Sequence, residues 1–243
     1  MIRFLTGLFL LFSMSYIFGE NRKWPFGTIK TFGDSHSCFS FGKMYPQDHE
    51  IVHKFEKNGD NFDVTFQTHH IGSRLMYSFA NNGCDISEFE SISKGQYVIF
   101  CLGNIDVGIH LQKYNHDFEA VKENIDLIVN LYLDKIAYYQ SLIGFQPIVF
   151  GVLPPLNDKL KPKEGAGSGH LGTTEQRVRT AKQMNITLEK ECLERGVLFF
   201  EVFEEYANCN GALRKSLTWD CTHIHFEKNA IVKNKVCNLI FEN

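Results

Sequence analysis

The sequence predicts a three-layer α/β fold around a mostly parallel sheet of about five strands. Three features carry the expectation. Short apolar runs are too continuous for half-exposed strands, stretches with helical apolar spacing separate them, and cap or turn residues sit at the junctions. At 243 residues the chain suits one such domain and is short for two. Residues 20–243 read as a single domain, and residues 1–19 as something else.

The chain starts with Met1-Ile2-Arg3 and an almost wholly apolar run from Phe4 to Phe18. That run is short for a membrane span, which needs about 20 residues. It suits the apolar core of an export signal, with Ser13, Ser15 or Gly19 as small residues near a cleavage point. An uncleaved anchor and a buried first helix are the other readings. Contact with a membrane is expected only in the anchor case. If the segment directs export, the protein is secreted, periplasmic or lumenal.

Thr28–Phe32 reads as the first strand and Val64–Thr68 as a weaker second. Tyr97–Leu102 and Ile148–Val152 are uninterrupted apolar runs, as expected of strands buried on both faces. Val197–Glu201 is the fifth. Phe118–Leu142 repeats apolar residues at helical spacing, with Val121, Ile125, Ile128 and Leu131 on one side. Thr174–Arg195 opens on a cap-forming Thr-Thr-Glu and stops before Gly196. Asn229–Ile240 closes the chain as a helix. Pro154–Gly172, rich in proline, lysine and glycine, reads as a long loop between strand and helix.

The formal charge of −3 and the lack of a basic run argue against a nucleic-acid partner. Seven cysteines include no Cys-x-x-Cys pair, so they make no metal framework. In an exported protein some would pair, leaving at least one over, and Cys209 and Cys221 are placed to be bridged. Cys101, inside an apolar run, reads as a small core residue. Asn185-Ile186-Thr187 fits a glycosylation sequon but falls inside a predicted helix.

Ligand sites in such folds lie beyond the carboxyl ends of the strands. The loop after the first strand reads Gly33-Asp34-Ser35-His36. A serine on a tight turn there is held out at the sheet's edge, but it attacks only if a base takes its proton. Trp219-Asp220-Cys221-Thr222-His223 supplies a histidine, with an aspartate three residues earlier able to hold its imidazole.

Gly33-Asp34-Ser35 resembles the first block of the SGNH/GDSL hydrolases, and Asp220-x-x-His223 resembles their last. The two blocks bracket nearly the whole chain beyond the apolar start, in the family's order. The resemblance implies a flavodoxin-like sheet, ester or thioester hydrolysis by a Ser35-His223-Asp220 triad, and no cofactor or metal. It also implies an oxyanion hole made by the Ser35 N–H, a glycine N–H and an asparagine side chain. Gly72 is the candidate glycine, and an ordinary turn glycine is its alternative. The family's Gly-x-Asn-Asp is replaced by Gly103-Asn104-Ile105-Asp106. Ile105 stands at the asparagine position, so either Asn104 turns inward to replace it or backbone donors act alone. Asp34, His36, Asp106 and His110 are candidates for lining the substrate site or supporting it. His225 is a poorer base than His223, because its spacing from Asp220 does not fit.

The implied substrate is a small-molecule or glycan ester, with an acylated carbohydrate preferred by analogy. Two other readings stand beside it. Asp34-x-His36, Gly103–Asp106 and His223-x-His225 faintly resemble the blocks of metal-dependent phosphoesterases. An SGNH fold that binds without catalysing is the other, with the displaced asparagine as its support.

Overall fold

The computed structural model describes residues 22–38, 49–82, 92–158, 170–218 and 223–243. The apolar run at the start of the chain, Asp220, Cys221 and most of the glycine-rich loop lie outside them. Among the described residues one sheet of seven strands, not five, organises the molecule. The strands are β1 (Arg22–Lys23), β2 (Ile29–Gly33), β3 (His49–Lys57), β4 (Asp60–His70), β5 (Tyr97–Cys101), β6 (Gln146–Phe150) and β7 (Leu198–Phe200). Five of them pair in parallel in the spatial order β4-β2-β5-β6-β7. Counted among themselves this is the order 2-1-3-4-5 of flavodoxin-like sheets, whose crevice opens where the winding reverses. That point lies between the carboxyl ends of β2 and β5.

The two extra strands both lie on β4. β3 pairs with it antiparallel from His49↔Thr68 to Lys57↔Asp60. Asn58 (φ 54°) and Gly59 (φ 83°) close the hairpin, both in the left-handed region that a two-residue turn of this twist requires. β1 pairs with the start of β4 and β2 with its end.

Alternate residues of the central strands feed two cores. Val98, Phe100 and Val149 point to one face, and Ile99, Cys101, Ile148 and Phe150 to the other. The first face is covered by α1 (Met76–Asn82), α2 (Phe118–Ile143) and α3 (Thr174–Glu194). A four-residue helix, α4 (Phe203–Tyr206), follows β7, and α5 (Ala230–Glu242) covers the second face. The long helices start as their sequences dictate. Asp117 caps α2 by accepting from Glu119 and Ala120 N–H, and Thr173 and Gln176 form a reciprocal capping box on α3. Leu131 sits half-buried at the edge of the α2 stripe, which runs instead through Val129, Tyr132 and Leu133.

Two positions singled out in the sequence are met again here. Cys209 is an exposed free thiol, and Cys221, its suggested bridging partner, lies outside the described residues. Asn185 is buried in α3, where its amide accepts from Val152 N–H (2.7 Å) and donates to Val152 O (3.0 Å). The sequon is therefore occupied by a structural contact that fastens the end of β6. Among the described residues no helix is long and apolar enough to cross a membrane.

Candidate active site

Gly33 ends β2 against its neighbour β5. A Cβ there would lie 2.0 Å from the Cys101 carbonyl oxygen, so only glycine fits. The next N–H, of Asp34, donates to that same carbonyl at 3.2 Å. The chain then turns at once into a short 3-10 segment, Ser35–Cys38. Ser37 closes the turn by donating N–H (3.0 Å) and Oγ–H (2.7 Å) to Asp34 O. Asp34 is fully buried, with Oδ1 accepting His36 N–H at 2.9 Å. The turn thus faces Asp34 inward and leaves Ser35 half-buried at the sheet's end.

His223 Nε2 lies 2.9 Å from Ser35 Oγ. With the hydroxyl as donor, Nε2 is the basic nitrogen and Nδ1 carries the ring proton. The His223 loop is pinched at its base by a bridge between Thr218 and Ile224. Asp220 belongs to this loop in sequence but lies outside the described residues. His225 turns elsewhere: its N–H donates to Leu217 O at 2.7 Å, and its ring nitrogen lies 3.8 Å from Glu227.

Two further imidazoles surround His223. The His36 ring stacks on it with centroids 5.3 Å apart and planes 30° apart. His70, at the end of β4, has its pKa lowered by burial and then by the proximity of His223. Nothing in the sequence identified His70 as a neighbour of the base. Knowing where β4 ends would have, because its register aligns His70 with Gly33.

Burial lifts the Asp34 carboxyl from 3.8 to about 7, against the pull of the His36 N–H. Asp106 and His223 act on it more weakly, in opposite directions. Asp106 is likewise fully buried and raised to about 6. Its Oδ2 accepts Met76 N–H at 2.9 Å, so it anchors the start of α1. That contact gives Asp106 a scaffold position under the site. His110 stands apart, in a groove of about 330 Å³ with Tyr77, Tyr114 and Asn124. That groove is separate from the small cavity that His36 and Asn104 share.

Gly72 follows β4 with φ 83°, and the preceding Ile71 N–H donates to Gly33 O at 2.9 Å, which draws this turn to the serine's. Gly103 (φ 111°) plays a similar part after β5, where a Cβ would come within 2.7 Å of Val152 and 2.8 Å of Met76. Its turn directs Asn104 toward the loop after β6. Asn104 Oδ1 accepts Leu153 N–H at 2.9 Å. This fixes the amide and leaves Nδ2 with no hydrogen bond among the described residues. Among the described residues no three His, Cys, Asp or Glu side chains converge as metal ligands.

No protein-family model and no curated protein sequence matches the chain. Solved structures do resemble it. A GDSL-like lipase from Bacteroides thetaiotaomicron superposes with TM-score 0.50 at 13% identity, over 87% of this chain and 87% of the other. Phospholipase A1 from Streptomyces albidoflavus gives 0.50 at 12%, over 87% and 98%. The aryl esterase of M. smegmatis gives 0.51 at 14%, over 89% and 99%. At these identities the likeness is one of fold. The chain has the α/β fold of the SGNH/GDSL hydrolases along most of its length.

Proposed function

We propose that the protein is a serine-dependent ester hydrolase. The observation that carries the reading is the 2.9 Å contact between Ser35 Oγ and His223 Nε2, at the point where the sheet's winding reverses. Ser35 Oγ attacks the ester carbonyl carbon as His223 Nε2 takes its proton. The tetrahedral oxyanion is met by the N–H groups of Ser35 and Gly72 and by Asn104 Nδ2–H. Collapse expels the alcohol, which receives the proton from His223. A water molecule then releases the acid from Ser35 by the same proton path. Asp220, placed by its spacing, accepts from His223 Nδ1–H and steadies the imidazolium.

The substrate class follows from analogy and from the N-terminal segment. We favour an acylated carbohydrate met outside the cytoplasm, in keeping with the export reading of residues 1–19. Hydrolysis of p-nitrophenyl acetate tests the core of the proposal, using the wild type and Ser35→Ala with and without EDTA. Activity lost in Ser35→Ala and indifferent to EDTA is the expected result. Activity that survives the substitution and disappears with chelator transfers the site to metal-dependent chemistry. No turnover of any ester, with no labelling of Ser35, leaves a fold that binds without catalysing.

A further inference from the structure

Beside Asn104, the loops after β5 and β6 enclose a cavity of about 30 Å³. His36, Asn104 and His170 line it, and the rest of its wall is proline, aliphatic side chains and Gly108. A water-sized group needs about 10–15 Å³ of such space, so the cavity holds roughly two.

Its walls are fastened individually. Leu156 O accepts from the buried Arg177 guanidinium at 3.0 Å, and the same guanidinium donates to Leu171 O (3.0 Å) and Gly172 O (2.7 Å). Leu213 N–H donates to Pro155 O at 2.9 Å. Leu171 N–H donates to Gly108 O at 2.9 Å, seating His170 so closely that a Cβ on Gly108 would be 2.6 Å from its Nδ1. Enlarging the cavity means moving one of these tied segments, and overpacking a fastened interior is unfavourable.

We propose that this cavity receives the acyl group and limits it to acetyl or propionyl, with Leu156 and Leu213 setting the limit. The proposal rests on the hydrolase reading above. Asn104 links the two: its side chain lines the cavity, and in the hydrolase reading its Nδ2–H is the donor that meets the oxyanion. An acetyl methyl fits, a propionyl chain fills the space, and a butyryl chain requires a wall to shift.

The test is kcat/KM for p-nitrophenyl acetate, propionate, butyrate and hexanoate with the wild type, Leu156→Ala and Leu213→Ala. Titration of each preparation with a small fluorophosphonate counts only the folded, reactive enzyme. The expected result is a wild-type fall of at least about tenfold from propionate to butyrate. In one or both variants the fall should move to a longer chain. Wild-type rates that stay level or rise through hexanoate overturn the proposal. So does a cut-off unchanged in both variants. If no ester turns over and no fluorophosphonate binds, the hydrolase reading fails first, and the assignment of the cavity fails with it.

Discussion

The two ends of β4 are built to different purposes. At its start, Phe62 packs among Trp24, Phe55 and Phe241, with ring centroids 5.7–6.4 Å apart. Lys57 at the hairpin tip adds hydrogen bonds of 2.8 Å to Asn238 and Glu242 of α5. Apart from the Trp24 indole N–H, which is buried with no hydrogen-bond partner among the described residues, this end is built from apolar rings and from the paired Lys57. At its other end β4 runs into His69, His70 and Gly72, beside two fully buried carboxyl groups, Asp34 and Asp106. One end holds the sheet and α5 together. The other keeps buried carboxyl groups, which cost stability, beside the proposed nucleophile Ser35. Substitutions at the two ends should therefore separate stability from activity.

The largest effect is expected at the reactive end. Ser35→Ala and His223→Ala should each lower kcat/KM by about 10⁴-fold or more, and the double variant little further. Thermal melting of both should match the wild type; a large drop would make the pair structural. The hairpin end should behave conversely. Phe62→Ala should lower the unfolding free energy by about 3–5 kcal/mol. The kcat/KM of its folded fraction should be unchanged, as checked by urea unfolding beside active-site titration.

Asn104→Asp sharpens the contrast within the site. Aspartate keeps an acceptor for Leu153 N–H but offers no donor to an oxyanion. Turnover should fall by about 10²–10³ while melting changes little. Unchanged turnover would assign the oxyanion to backbone donors alone.

The smallest and most gradual effect is that of pH. Asp34 has a folded-state pKa of about 7, above the 3.8 of an exposed carboxyl. Between these values the unfolded chain has released the proton and the folded one retains it. Stability therefore falls as pH rises through that window and levels off above it. Asp34→Asn keeps an acceptor for His36 N–H and removes the titration. Its stability relative to wild type should rise from pH 4 to 7 and then stay constant, measured by urea unfolding across that range.

Much of this arrangement was legible in the sequence. The buried strands announced themselves as continuous apolar runs because helices cover both faces. The starts of α2 and α3 followed from helical spacing and capping residues. Ser35 and His223 were found by chemistry that needs a serine after the first strand and a histidine near an aspartate. β3 escaped because His49–Lys57 is largely polar, as an edge strand can be, yet Asn58-Gly59 was a local signal for its hairpin. The tie from Asn104 to Leu153 was not legible, since it depends on the relative height of two loops on neighbouring strands. The same holds for His70 beside His223 and for Arg177 gripping residues on both sides of the long loop. Such contacts belong to the register of the sheet and to no short motif.

The reactivity of Ser35 depends, in the proposed function, on activation by His223. Its most direct test is to treat the wild type, Ser35→Ala and His223→Ala with a small fluorophosphonate and map the adduct by peptide mass spectrometry. One adduct on Ser35 is expected in the wild type, none in Ser35→Ala and greatly slowed labelling in His223→Ala. An unlabelled wild type, or equal labelling at Ser35 with and without His223, would contradict the proposed function.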